Sequence, residues 1–355
     1  MIAVLAAAGW FYWAALIPVE PAGQTFVMLR PGYSTRHIAA ALKSSGVIRS
    51  EQAFVLWHYL HNGRSLKAGE YLFEKPANLI HLEKRLEHGD VYFRTVVVPE
   101  GFTMFDIARA IEAAGLGTAE DFLKVAQSDT ALVNDIAPNA PSLEGYLFPE
   151  TYEFSRMMSM QEMAAAMVKQ FRQVARQIGL IPSPASESPD GGPPKILANS
   201  SKGTVESTYL IPTPEAGSIG LDRTVTMASI IEKETSVAEE RPMVASVYYN
   251  RLAKNIALDA DPSIIYAELL AGTYQGSLHH ADMQFSSSYN TYKHSGLPPG
   301  PIANPGKSSL EAAMRPAQTD FYYFVADAQG HHRFARTIDE HNKNVVAYRR
   351  AMRKE

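Results

Sequence analysis

From Met1 to Val19 the chain carries no charged side chain, and Trp10, Phe11, Tyr12 and Trp13 stand in a row. At about 1.5 Å per residue, an uncharged run of this length just crosses a bilayer core of roughly 30 Å. It predicts a membrane anchor over residues 1–19. A cleaved signal peptide would want a basic start and a small-residue cleavage site beyond the apolar run, and neither is present. A buried core helix is the remaining reading. No Lys or Arg precedes the run, so the positive-inside rule does not orient it.

The pattern of apolar and polar positions then occurs twice. "FVMLRPGYSTRHIAAALKSSGV" (26–47) lies over "TVVVPEGFTMFDIARAIEAAGL" (95–116), with Val27 on Val96, Gly32 on Gly101, Ile38-Ala39 on Ile107-Ala108, Ala41 on Ala110 and Gly46 on Gly115. Each copy predicts a β-strand, a glycine turn, a helix opened by Ser34 or Thr103, and a glycine stop. With "KAGEYLF" (67–73) as a further strand, the two copies predict a small α+β module. Farther on, "EGYLFPETY" (144–152) reads as an aromatic-rich loop or short strand, and Met157 to Leu180 as an amphipathic helix. Thr224 to Glu240 and Pro242 to Ala253 read as two more helices, the second carrying Val244, Val247, Tyr248 and Leu252 on one side. Loops dense in aromatics, Gly and Pro follow, notably 289–306. "FYYFVAD" (321–327) and "HRFARTI" (332–338) predict a hairpin, and a helix from Asp339 closes the chain. The fold class is α+β.

Composition changes this picture in three places. Between Pro182 and Gly220 the chain is rich in Pro, Gly and Ser, with "SPASESPDGGPP" at its centre, which predicts a disordered insertion at 182–220. The charge balance, 33 basic against 37 acidic residues, speaks against a nucleic-acid partner. There is no cysteine, so disulfides and thiolate metal sites are excluded. The pairs His279-His280 and His331-His332 do not make a metal site either: adjacent side chains diverge and no HExxH is present. No cofactor is expected.

The candidate chemistry lies in "ASIIEKET" (228–235), an apolar run ending in two acids around one base. One reading is a helix leaving the core, its last turns solvated. The other is a glutamate kept on the apolar side for proton chemistry. On a 3.6-residue period Met227, Ile230, Ile231, Glu234 and Ala238 share a face, while Glu232 falls beside Ser229, Ser236 and Glu239. Spacing therefore nominates Glu234 over Glu232, since apolar surroundings raise a carboxyl pKa as a general acid requires.

"EGYLFPETY", "ASIIEKET", "VASVYYNRL", "DPSIIYA", "YNTYKHSGLPPGPIANPG", and "FYYFVAD" followed by "EHN" occur in that order. Together they resemble the signature of the MltG/YceG-like endolytic murein transglycosylases, from about residue 26 to the C-terminus. The resemblance implies a LysM-like module at 26–90 and a catalytic domain of mixed helices and strands at 91–355, interrupted by the insertion. It places the catalytic acid on Glu234, in agreement with the helical face. It implies cleavage of the β-1,4 bond between N-acetylmuramic acid and N-acetylglucosamine within peptidoglycan strands, ending in 1,6-anhydromuramoyl and terminating or trimming nascent strands. The expected setting is the cell inner membrane, single-pass, with the catalytic domain periplasmic. Glycan strands are the expected partner, and peptidoglycan synthases are admitted as others.

Glu144, Tyr146, Tyr152, Tyr289, Asn290 and Tyr292 are candidates to line a sugar cleft, with aromatic core beneath a loop as the equal alternative for each. Asp261, before Pro262, is a turn former by its own chemistry and a site residue by its family position. At position 259 this chain has Asp where some relatives carry Gln, which leaves a sugar contact there in doubt. Two rivals stand beside the lyase. One is a hydrolase on the same glycan, with Glu232 or Asp261 activating water; the other is a non-catalytic glycan-binding scaffold for wall synthases.

Overall fold

The structure, a computed structural model, describes residues 1–61, 63–182 and 220–352. The insertion expected at 182–220 lies, but for its two end residues, outside them. In chain order the elements are α1 (Ile2–Ala15), β1 (Thr25–Leu29), α2 (Thr35–Ser44), α3 (Glu51–Leu60), β2 (Gly69–Phe73), α4 (Leu79–His88), β3 (Arg94–Val97), α5 (Met104–Ala113) and α6 (Ala119–Ser128). They continue with β4 (Thr151–Phe154), α7 (Met160–Gln177), α8 (Leu221–Glu234), α9 (Arg241–Ala253), α10 (Asp261–Ala271), α11 (Lys307–Met314), β5 (Tyr323–Ala326), β6 (His332–Ala335) and α12 (Ile338–Met352). The chain divides into two compact units.

The first unit comprises Met1–Val96 with Glu112–Gly117 and Tyr152–Ser159. β1 and β2 pair antiparallel, from Thr25 opposite Phe73 to Leu29 opposite Gly69. Their inward side chains Val27, Leu29, Tyr71 and Phe73 share a core with Ile38, Leu42, Phe54, Leu82 and Leu86 from α2, α3 and α4. Each of these helices opens on a side-chain cap, Ser34, Ser50 and Asn78 respectively. α1 has 14 residues, and no helix among the described residues is long and apolar enough to cross a membrane. The last turn of α1 joins this core through Ala14 and Ala15, small enough for close approach. The Arg49 guanidinium donates to the carbonyls of Trp13, Ile17 and Pro18. Ile2, Val4, Leu5, Trp10, Tyr12 and Trp13 remain exposed.

The internal repeat is present as local structure. The turn glycines Gly32 and Gly101 have φ of 80° and 76°, and the stop glycines Gly46 and Gly115 have 74° and 69°. This left-handed region is one that side chains with a Cβ avoid. The copies nevertheless do not build one module together. β1 pairs with β2, whereas β3 pairs with β4, and the boundary between the compact units runs through α5. Turn chemistry is local to the chain, but the strand partner is chosen by the rest of the fold.

The second unit comprises Val97–Ile111, Thr118–Thr151 and Met160–Glu355. At its centre α8 is buried on every side from Thr224 to Ile231, with α9, α10 and α11 around it. The single helix expected from Thr224 to Glu240 is corrected here. α8 ends at Glu234, Thr235 is extended (φ −140°, ψ 133°), and a short 3-10 turn, Ala238–Glu240, leads into α9. Pro242 in the first turn of α9 accounts for a new start there: proline suits a helix beginning, not a continuing ladder. Ala238 is consequently exposed and does not extend the apolar face.

Two polar side chains pin the loops of this unit. The Asn304 side chain accepts from the backbone N–H groups of Gly145 and Leu147 at 2.8 and 2.9 Å, and donates to Glu144 Oε1 at 2.7 Å and to the Phe102 carbonyl at 3.0 Å. Glu144 in turn accepts from the N–H of Met104, the first residue of α5. Gly145 (φ 87°) closes the arrangement, because a Cβ there would fall 2.5 Å from Pro301 and 2.8 Å from Val225. The β5–β6 hairpin runs from Tyr323 opposite Ala335 to Ala326 opposite His332, and α12 lies against it.

Candidate active site

The two acids at the end of α8 meet different neighbours. Glu232 forms an ion pair with the buried Arg241 at 2.9 Å, its side chain only 4% exposed. It also accepts from the Gly306 N–H at 2.9 Å. Glu232 is therefore not solvated; it ties the start of α9 and the loop before α11 to the end of α8. Because α8 is buried all round, its apolar face alone does not separate the two glutamates. The partners do.

Glu234, the last residue of α8, is half-buried. The hydroxyl of Tyr248, from α9, donates to its Oε1 at 2.7 Å. The carboxyl opens on a cavity of about 480 Å³, lined among others by Tyr248, Arg251, Asp259, Asp261, Tyr292 and His341. Burial pushes the Glu234 carboxyl up from 4.5 to about 7, the Tyr248 bond opposing and the nearby Asp261 charge adding to the rise. A carboxyl in this state still holds a transferable proton near neutrality, which is what a general acid needs.

Asp261 is the first residue of α10, with Pro262 behind it. The Tyr292 hydroxyl donates to its Oδ1 at 2.5 Å. Arg251, one turn beyond Tyr248 on α9, is spent on structure: it donates to the carbonyls of Ala257 and Tyr322 and forms an ion pair with Asp259. Burial raises the Asp259 carboxyl while Arg251 pulls it down. Asp259 itself sits at φ 51°, held by that ion pair.

Of the cleft candidates, Asp261 and Tyr292 thus stand with Glu234. The others do not line the cavity. Glu144 is 1% exposed and bound as above; burial lifts its carboxyl to about 8. Tyr146 is fully buried, edge-on to Phe171 at 5.2 Å. Tyr152 lies in the first unit, stacked on Phe154. Tyr289 lies against Tyr266 in the core. The buried Asn290 side chain donates to the carbonyls of Met283 and Phe285, holding its own loop.

Sequence reasoning missed Tyr248, Arg251 and His341. Tyr248 and Arg251 were legible as neighbours at i and i+3 on one side of α9, but Tyr248 counts as an apolar side chain in a periodicity argument. His341, in the "EHN" of α12, lines the cavity with its Nδ1 buried and unpartnered among the described residues; burial, helped by Arg251, holds its pKa below the usual value. Among the described residues no group of three or more His, Cys, Asp or Glu is disposed to hold a metal ion. His331 and His332 both face the Glu240 carboxylate, at 3.0 and 2.7 Å.

The YceG-like family profile matches residues 27–347. The chain belongs to the YceG-like family. An endolytic murein transglycosylase of Bacillus subtilis (strain 168) is 32% identical over 351 residues, covering 94% of this chain and 88% of the relative. A protein of the same name from Streptococcus pneumoniae serotype 2 is 26% identical over 98% of this chain, which spans 63% of that longer relative. Among solved structures, a YceG-like protein of Listeria monocytogenes has a TM-score of 0.56 at 30% identity, covering 90% of this chain and 98% of the other. The mixed α+β architecture is thus one found in a solved YceG-like protein.

Proposed function

We propose that the protein is an endolytic lytic transglycosylase of peptidoglycan, with Glu234 as its acid and base. The observation that carries this reading is a half-buried carboxyl on the wall of an open cavity, which burial pushes up to about 7. Its relatives' names, endolytic murein transglycosylase, support the substrate and the reaction. Most glycosidases use two carboxylates, one of them to activate water or attack the sugar. Here the muramoyl C6 hydroxyl is the nucleophile. Glu234 protonates the glycosidic oxygen, the C1–O bond breaks with its electron pair on that oxygen, and O6 bonds to C1. The O6 proton passes to the Glu234 carboxylate, which restores the acid. An internal nucleophile held in place carries an effective molarity of about 10⁵ M or more, enough to outrun water. Asp261, engaged by Tyr292, borders the sugar rather than activating water.

Purified glycan strands digested with the full chain are expected to yield internal cuts ending in the anhydro sugar, lighter by one water than the hydrolysed end. Reducing ends of hydrolysed mass would instead assign the hydrolase, and intact strands the glycan-binding scaffold.

In the same reading the first unit contributes a LysM-like module at 26–90, and the exposed apolar side chains of α1 attach the protein to the inner membrane. The catalytic unit then lies outside the cytoplasm, where nascent strands and their synthases are. A reporter fused after Glu355 is expected to be active only if it works outside the cytoplasm; activity of a cytoplasm-only reporter would overturn this topology.

A further inference from the structure

We infer that Tyr248 is a positioning residue for the proposed acid–base cycle, fixing which oxygen of Glu234 gives and takes the proton. The inference rests on Glu234 as the acid and goes beyond it. Tyr248 is 2% exposed and its hydroxyl donates to Glu234 Oε1 at 2.7 Å. A phenol has one proton to donate, and burial together with the neighbouring Glu234 charge keeps it on the oxygen, with the Tyr248 pKa well above 10. Oε1 is therefore occupied as an acceptor throughout. In the protonated acid it is the carbonyl oxygen, and the proton sits on Oε2.

The cycle uses that asymmetry twice. In the first half, Oε2–H gives its proton to the glycosidic oxygen as the C1–O bond breaks, and the negative charge left on Glu234 is stabilised by the Tyr248 bond. In the second half, Oε2 accepts the proton of the C6 hydroxyl as O6 bonds to C1. Protons and electron pairs balance within substrate and carboxyl, and no water enters. A carboxyl with two unengaged oxygens would populate both protonation sites, only one of which faces the reacting bond.

The other groups around Glu234 do not duplicate this bond. Arg251 and Asp259 are paired to each other, Asp261 takes the hydroxyl of Tyr292, and Nδ1 of His341 has no partner among the described residues. Asp261 acts on Glu234 through its charge alone, raising the carboxyl that Tyr248 lowers.

Tyr248→Phe removes one hydroxyl and keeps the ring, which packs edge-on to Phe324 at 5.8 Å. The test is the pH profile of glycan cleavage by the full chain, parent and variant. The parent's kcat/KM is expected to fall on the alkaline side near about pH 7, where Glu234 loses its proton. In the variant that limb should move up by about one pH unit, since a lost bond to a charged group is worth about that much. kcat should fall about tenfold with KM nearly unchanged. If Tyr248→Phe does not fold, site-specific 3-fluorotyrosine at position 248 serves instead: the stronger donor should move the limb down. A limb that stays in place with either replacement, with loss confined to KM or melting temperature, makes Tyr248 a structural residue and overturns the inference. Glu234→Gln remaining active would instead remove the reading on which it rests.

Discussion

Glu234→Gln is expected to abolish glycan cleavage while the protein melts no lower than the parent. General acid–base catalysis is worth about 10²–10⁴-fold, and the amide keeps the shape and still accepts from Tyr248. Stability has a definite sign. Folding raises the Glu234 pKa from 4.5 to about 7, so the folded state binds the proton more tightly than the unfolded chain. That contribution is complete below about pH 4.5 and is lost as pH climbs through about 7. The glutamine variant has nothing to lose there and should melt at least as high as the parent at pH 8. Glu232→Gln is the contrast. It leaves the buried Arg241 without its closest counter-charge, with Glu100, at 3.5 Å, remaining among the described residues. Removing one partner of a buried pair costs about 3–5 kcal/mol, and the retained amide oxygen brings this to about 3. Cleavage per folded molecule should stay near the parent's. Circular dichroism melts and a strand digest of both variants decide the matter; an inactive but stable Glu232→Gln beside an active Glu234→Gln would reverse the assignment.

Asn304→Ala is expected to be the most destabilising single change in the second unit. It strips the partner from two backbone N–H groups, of Gly145 and Leu147, and removes one of the donors to Glu144 Oε1, which the Met104 N–H still reaches at 3.1 Å. Each buried polar group left unmet costs about 1–3 kcal/mol, so a loss of about 3–5 kcal/mol is expected in denaturant unfolding. The effect should be cooperative, because the same side chain joins loops around 102, 145 and 304 that have no sheet to hold them. A loss under about 1 kcal/mol would mean that water replaces the amide and the loops are held from elsewhere.

The repeat, the β5–β6 hairpin and the C-terminal helix were legible in the sequence because their signals are local. Ser34 and Thr103 open helices, four glycines take left-handed turns, and alternation marks strands. The helices α3, α4, α10 and α11 were not: each is short, and its burial depends on what packs against it. The helix at "DPSIIYA" shows its reason only once α8 packs against it. The proposed acid, Glu234, was named by spacing and motif together, although a helix buried all round gives spacing no power to choose between it and Glu232. The site was illegible in its surroundings, since a tyrosine's composition does not reveal its direction. Tyr146 and Tyr289 look like sugar platforms and are core, whereas Tyr248 looks like core and touches the acid. The break at Thr235 also escaped, because the flanking Glu, Lys and Ala favour a helix, although Thr235, Ser236 and Val237 are three weak helix formers in a row.

That break gives Glu234 a second reason to hold its proton. Peptide dipoles in a helix add along its axis, leaving partial negative charge on the last carbonyls. Had α8 run on to Glu240, as its sequence invites, Glu234 would sit mid-helix, far from that pole. Ending the helix at Glu234 puts the carboxyl beside the negative end, where a further negative charge is unwelcome before any side chain is counted. Where a helix stops, then, can tune an acid as surely as what surrounds it. A stretch of "EKET" inside an uninterrupted helix would carry the same letters and hold its proton less firmly.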